Sequence, residues 1–277
     1  MLDWKIVDPL IELALGEDMP DGDITSENVV PEEMLSRAVI LSKADGILAG
    51  IDVAERVFSR IDPDIVFRVI RRDGSEIVPG DHLAELEGRA RSLLMGERTA
   101  LNFLQRMSGI ASLTQRYVRA LEGSGTRLLD TRKTTPGMRI LEKFAVRMGG
   151  GTNHRMSLSD MVMLKDNHLR MVGGIAKAVA RARQAVGREV KIEVETTSPE
   201  EAVTAIESGA DWVMLDNMSS EQIRRAVERA AGRAILEVSG GVELERLPEL
   251  AALGVDYVSV GRLTHSFESL DISMDFL

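Results

Sequence analysis

The sequence predicts an α/β protein in two parts, a small mixed α+β domain followed by a parallel α/β barrel that is open or incomplete. Three observations carry this expectation. Residues 36–90 hold short β-like runs separated by turn signals. One long helical stretch follows. After Gly125, short apolar strands alternate with helices at nearly even intervals.

Taken in order, Leu2, Ile6, Pro9 with Leu10, and Leu13 recur at helical spacing, and Gly16 stands as a stop signal. AVIL, ILAGI, IVFRVI and HLAEL then read as strands, set apart by ADG, DPD, RRDGS and PGD. From Arg91 to Leu121 the pattern is one connector helix, with Leu93, Leu94, Leu101, Leu104, Ile110 and Leu113 as its buried stripe. The domain boundary falls inside it: residues 1–109 form the N-terminal domain with the connector, and residues 110–277 the barrel. The strand-rich N-terminal part and the C-terminal segment are free to associate. RLLDT, MVMLK, VKIEVE, WVMLD, AILEVSG and YVSVG read as six strands. The last four, taken from Glu195, Asp216, Ser239 and Gly261, repeat every 21 to 23 residues, about one strand, one helix and two loops. That regularity favours a TIM-like barrel, with a doubly wound sheet as the alternative.

Composition removes several functions. The chain of 277 residues has no cysteine, which excludes disulfides, thiolate nucleophiles and thiolate-bound metals. A net charge of -10 opposes non-specific nucleic-acid binding. No basic N-terminal leader or apolar run of membrane-spanning length is visible, so a cytoplasmic location is expected.

The chemistry is expected where the six strands end: Asp130-Thr131-Arg132-Lys133, Lys165-Asp166-Asn167-His168, Glu193-Val194-Glu195, Asp216-Asn217, Ser239-Gly240-Gly241 and Gly261-Arg262. A solvent-facing strand end is polar for no functional reason, yet six such endings in a barrel converge on one catalytic rim. Arg132, Lys133, Arg155 and Lys165, with His154 and His168 nearby, form a cationic side, and clustered cations repel unless an anion joins them. This side predicts a small polyanionic substrate. Glu195 and Asp216 read equally as Mg²⁺ ligands or as a structural pair against the cations. Ser239-Gly240-Gly241 and Gly261 suit a phosphate site, or simply tight turns. Gly149-Gly150-Gly151-Thr152 matches no nucleotide fingerprint and reads as a flexible turn that carries Asn153, His154 and Arg155 to the site. His154, His168 and His265 lack zinc-ligand spacing, and Met161 and Met163 read as core.

LLDTRKTTPGMR and GGGTNHRMSLSDMVMLKDNH, with EVET, MLDNM, EVSGG, SVGRLTHS and ERTALNFLQRMSGIAS, resemble the quinolinate phosphoribosyltransferases from about Asp18 to the C-terminus. The resemblance implies an N-terminal α/β sandwich domain and a C-terminal open α/β barrel. It implies Mg²⁺-dependent transfer from 5-phosphoribosyl 1-pyrophosphate to quinolinate, with decarboxylation to nicotinate mononucleotide. It would place Arg132, Lys133, His154, Arg155 and Lys165 around quinolinate, and Glu195 and Asp216 at the ribose and Mg²⁺. Ser239, Gly240, Gly261 and His265 would border the phosphates. Lys133, Lys165, Glu195 and Asp216 would be the catalytic set, and Arg98 would come from the partner subunit of a homodimer or larger assembly. Rival readings are a sibling transferase acting on nicotinate, a relative linked to molybdenum transport, a lyase using Lys133 or Lys165 as a Schiff base, and a non-catalytic binding module.

Overall fold

The computed structural model describes residues 2–277. The chain begins α1 (Trp4–Asp18), α2 (Ile24–Val29), β1 (Leu35–Ser42), β2 (Gly46–Ile47), α3 (Ile51–Ile61), β3 (Val66–Val69), β4 (Glu76–Ile77) and β5 (His82–Arg89). The long α4 (Ala90–Ala120) leads to β6 (Arg127–Leu129), α5 (Arg139–Met148), β7 (Val162–Leu164), α6 (Asp166–Val172) and α7 (Ile175–Val186). Then come β8 (Ile192–Thr196), α8 (Pro199–Glu207), β9 (Trp212–Asp216), α9 (Ser220–Ala230), β10 (Ile235–Ser239), α10 (Leu247–Ala252), β11 (Tyr257–Ser259), α11 (Arg262–His265) and β12 (Ile272–Phe276). No described helix is long and apolar enough to cross a membrane.

Contacts divide the chain into two units: Met1–Gln115 with Thr134–Gly150 and Leu263–Leu277, and Arg116–Lys133 with Gly151–Arg262. The boundary expected at residue 109 follows chain order. Contacts instead group two later segments with the first unit, because α5 packs on α1 and β12 pairs with β1.

The first unit is built on an antiparallel sheet in the order β12-β1-β5-β3. Four expectations need correction here. α1 runs past Gly16 to Asp18, since a glycine in the last turn costs a helix only about 1 kcal/mol. Its buried face is Val7, Ile11 and Leu15, whereas Ile6 and Leu13 lie in solvent. ILAGI is not one strand: Gly46–Ile47 pair with β4, and α3 starts at Ile51. The β-branched residues of α3 hid a helical repeat, in which Ile51, Ala54, Val57 and Phe58 are buried. On α4, Leu93, Leu101, Leu104 and Ile110 are buried as expected, but Leu94 and Leu113 are not. Gly149 serves close approach rather than flexibility, because a Cβ there would lie 2.3 Å from the Ala111 carbonyl oxygen of α4.

Gly50 opens α3 in the left-handed region and has no side chain to cap it. Asp73 caps the helix from a distant loop, its Oδ1 accepting the N–H groups of Gly50 (2.8 Å) and Ile51 (2.9 Å). Its Oδ2 is buried with no hydrogen-bond partner among the described residues. Burial pushes the carboxyl up to about 6, Asp52 adds to the rise, and the two backbone donors oppose it. The ordinary value is 3.8, so the unfolded chain ionises first and ionisation weakens the fold. Stability from this group is greatest below pH 3.8 and falls as pH rises to about 6, by about 1–3 kcal/mol. Urea melts of the wild type and Asp73→Asn between pH 4 and 7 should differ by an amount that changes with pH over this window. A constant offset would rule the assignment out.

The second unit holds six parallel strands in the order β6-β11-β10-β9-β8-β7. All six were legible from the sequence. Successive side chains alternate between two faces. One face carries Leu128, Leu164, Ile192, Val194, Val213, Leu215, Leu236, Val238 and Val258, all buried, and α7 and α8 pack against the sheet. The other face carries Arg127, Met163, Glu193, Glu195, Trp212, Met214, Asp216, Glu237, Ser239 and Tyr257. On this face Trp212 of β9 stacks on Tyr257 of β11 at 4.9 Å, although β10 lies between their strands. Flat strands two places apart lie about 9–10 Å from one another, so the sheet curls with this face inward.

Candidate active site

The two edge strands of the curled sheet, β6 and β7, are bridged by one short strip of chain. Thr152 makes a parallel bridge to Leu129, donates its N–H to the Leu128 carbonyl (2.8 Å) and offers its own carbonyl to the Asp130 N–H (3.1 Å). Three residues on, Arg155 Nη1 donates to the Met161 carbonyl (3.4 Å) and Nη2 to Met163 Sδ (3.2 Å) on the far edge. Residues 152–155 therefore fill the seam of an otherwise open barrel. Met161 and Met163, expected in the core, are half-exposed at this seam instead.

Asp130 pins the strip. It is fully buried, its Oδ1 accepts the His154 N–H (2.8 Å), and its Oδ2 accepts from Asn153 Nδ2 (2.5 Å). Just beyond it lie Arg132, half-buried, and Lys133, exposed, whose N–H is turned onto Thr131 Oγ1 (3.0 Å). Burial lowers the Arg155 pKa, and the charge of Arg132 lowers it further. Two half-buried guanidinium groups are thus close enough for their charges to oppose each other, an arrangement that an anion relieves.

His154 is placed deeper than its neighbours, with its side chain only 7% exposed. Nε2 lies 3.0 Å from Glu193 Oε2 and 3.3 Å from Glu237 Oε2. Nδ1 accepts the Arg155 N–H at 2.8 Å. Burial would lower the imidazole's pKa, but the two carboxylates outweigh it and push it up to about 9. Burial also raises Glu193. The cluster therefore carries a proton at neutral pH. Since Nδ1 is an acceptor, that proton lies on the side of Nε2 and the carboxylates.

The remaining expected residues form two groups. At the end of β7, Lys165 Nζ pairs with Glu195 Oε2 at 2.5 Å, and the Lys165 N–H donates to His168 Nδ1 (3.0 Å), which opens α6. Asp216, Asn217, Ser239 and Gly240 meet at the ends of β9 and β10. Asn217 Nδ2 donates to Asp216 Oδ2 (2.9 Å), and the Asn217 N–H to the Ser239 carbonyl (3.0 Å). Gly240 has φ 93°, and a Cβ there would lie 2.3 Å from Asn217 Oδ1, so only glycine fits. Gly261 follows β11, half-buried. Arg98 and His265 belong to the first unit: Arg98 is exposed on α4, and His265 ends α11 with Nδ1 2.7 Å from Ser266 Oγ.

Sequence reasoning missed the parts played by Asp130, Glu193 and Glu237. A signal was present for the last two. In VKIEVE and AILEVSG a glutamate interrupts an apolar strand at an inward position, where an unassisted carboxylate is too costly to be incidental.

Residues 23–108 match the family described as quinolinate phosphoribosyl transferase, N-terminal domain, and residues 110–275 that described as its C-terminal domain. The probable nicotinate-nucleotide pyrophosphorylase [carboxylating] of Bacillus subtilis is 45% identical over 94% of this chain and 89% of its own. The quinolinate phosphoribosyltransferase [decarboxylating] 1b of Nicotiana tabacum is 40% identical over 96% and 81%. The crystal structure of NadC from Streptococcus pyogenes superposes with a TM-score of 0.96 at 42% identity, covering 100% of this chain and 99% of that one.

Proposed function

From the premise that the chain belongs to the quinolinate phosphoribosyltransferase family, we propose how its residues divide the reaction. The reaction is pentosyl transfer from 5-phosphoribosyl 1-pyrophosphate to quinolinate with decarboxylation, yielding nicotinate mononucleotide, pyrophosphate and CO₂ in de novo NAD synthesis.

Arg132 and Arg155 receive the two carboxylates of quinolinate, with Lys133 and Lys165 beside them and His154 beneath. The observation that carries this is the pair of half-buried guanidinium groups whose charges oppose each other, a repulsion that a dicarboxylate relieves. Lys165 is an ion-paired ammonium against Glu195, which disfavours the imine chemistry of a Schiff-base lyase. Glu195 and Asp216 face the ribose. As pyrophosphate departs, the C1–O bond breaks and positive charge grows on the sugar ring, where a nearby carboxylate stabilises it. The pyridine nitrogen then bonds to C1, and the resulting pyridinium takes up the electron pair left when the adjacent carboxylate leaves as CO₂. The carbon is reprotonated. No covalent enzyme intermediate is required, so positioning and charge do most of the catalysis. Ser239, Gly240, Gly261 and His265 border the phosphates, and Arg98 reaches the site of a second subunit.

The donor set fits Mg²⁺. Glu195 and Asp216 offer hard oxygens on the inward face, with Asp216 two residues beyond the Met214 that faces Glu195 in register. These two carboxylates would hold the ion, mainly through substrate and water. Bound there, Mg²⁺ would stabilise the departing pyrophosphate. A cytoplasmic location goes with this reading.

The test is product formation from quinolinate, 5-phosphoribosyl 1-pyrophosphate and Mg²⁺, with nicotinate in parallel. Nicotinate mononucleotide and CO₂ should form from quinolinate alone, and chelation of Mg²⁺ should slow turnover by about a hundredfold or more. Equal use of nicotinate would overturn the dicarboxylate pocket, and full rate in chelator would overturn the metal.

A further inference from the structure

Glu193 and Glu237 neither bind substrate nor take part in the transfer as assigned above, yet they lie at the centre of the barrel. Both are wholly buried on inward positions of β8 and β10. No donor among the described residues reaches their four oxygens along a good hydrogen-bond line. The group that faces them is the His154 ring, its Nε2 forked between the two at 3.0 and 3.3 Å. Burying two carboxylates side by side is costly, and an apolar pair would pack more cheaply. Something in the surroundings must recover that cost.

The chain of contacts around them indicates what it is. His154 is held on every side: ring Nε2 over the carboxylates, ring Nδ1 on the Arg155 N–H, the backbone N–H on Asp130, and Trp212 edge-on at 6.0 Å. Arg155 follows directly, with its backbone fixed by the ring, its guanidinium on the Met161 carbonyl and Met163 Sδ, and its charge opposed by that of Arg132. The charges of Arg155 and Arg132 oppose each other. A negative floor behind them offsets that repulsion without touching the ligand.

We propose that Glu193 and Glu237 are positioning residues for the acid substrate, an anionic floor that holds Arg155 in its binding pose through His154 before quinolinate arrives. The proposal rests on the reading that quinolinate occupies the Arg132–Arg155 pocket. It assigns both glutamates to recognition of one of the two substrates.

The test is steady-state kinetics of Glu193→Gln and Glu237→Gln with each substrate varied, beside Arg155→Ala. The expected result is a rise in KM for quinolinate of about tenfold or more, with KM for 5-phosphoribosyl 1-pyrophosphate within about twofold and kcat within about threefold. Thermal melting should not fall, because each glutamine removes a buried charge. If Arg155→Ala raises the quinolinate KM but neither glutamine variant does, the floor is refuted while the pocket stands. If Arg155→Ala leaves that KM unchanged, the pocket reading itself fails. Equal rises in both KM values, or a lower melting temperature with them, would make the glutamates structural and overturn the proposal. Should a glutamine variant not fold, Glu193→Asp and Glu237→Asp decide: the retained charge should keep the quinolinate KM within about threefold of wild type. A rise as large as that of Arg155→Ala refutes the floor. Metal analysis of the purified protein closes the remaining route, since one equivalent of transition metal that disappears in Glu237→Gln would make the trio a metal site and overturn the proposal.

Discussion

Alanine at position 132 is expected to lower kcat/KM for quinolinate by about two to four orders of magnitude. Arg132 follows the buried Asp130 by two residues, so its backbone is held by the same anchor that pins the barrel seam. It is half-buried and close enough to Arg155 for their charges to interact. A guanidinium meeting a carboxylate with two parallel hydrogen bonds contributes roughly 3–5 kcal/mol when its loss leaves the carboxylate buried without a partner. That energy converts to the stated range. Lysine is no substitute, since a point charge cannot reproduce the fork, and Arg132→Lys should still lose about tenfold or more. The fold should survive both changes, as Arg132 lies outside the strands. Kinetics within about threefold of wild type in Arg132→Ala would remove the residue from the pocket.

The second large effect is a recovery rather than a loss. Arg98→Ala and Glu195→Gln should each be nearly inactive alone, yet a mixture of the two should regain activity. Arg98 is exposed on α4 in the first unit, whereas Glu195 stands inside the barrel of the second. If each site takes its arginine from a partner subunit, a mixed dimer rebuilds one intact site from two damaged chains. Random exchange of equal amounts then restores about a quarter of the sites. Native mass spectrometry of the mixture would establish that subunits have exchanged. Exchange without recovered turnover would place Arg98 and Glu195 in the same chain's site, or Arg98 in none.

The readable part of the molecule was the part where local pattern and tertiary role coincide. Parallel strands buried on both faces appear as short apolar runs, so β6 to β11 could be found directly, and their polar ends marked the rim. α3 was not readable, because IDVAERVFSRI is rich in residues that also favour strands and only the buried Ile51, Ala54, Val57 and Phe58 reveal its period. On α1 the helix was visible but its inward face was not, since Leu13 and Ile6 are as apolar as Ile11 and Val7 and the packing of the unit alone decides between them. Thr152 was hidden for another reason: its strand is a single bridge beside Leu129, too short to leave a pattern. Arg132, Lys165 and Glu195 stood out by charge at the strand ends, and Arg155 as a charge just after the glycine turn. Glu193 and Glu237 required knowing which way each strand faces, which alternation within VKIEVE and AILEVSG contains but does not orient.

The seam formed by residues 152–155 bears on how the protein survives its own folding. Until that strip docks, β6 and β7 each present an open edge, and an open parallel edge is a template for pairing with another chain. The strip can close the gap only after Asp130 is in place to receive it and β7 is present to meet Arg155. A chain whose strip has not docked would leave both flanks of the sheet uncovered, where pairing with another chain competes with closure. An anion bound by Arg132 and Arg155 would favour the docked strip, because Arg155 is carried on it. The acid that this protein consumes would thus serve also as its folding aid, and yield of soluble protein on refolding, not turnover alone, should depend on its concentration.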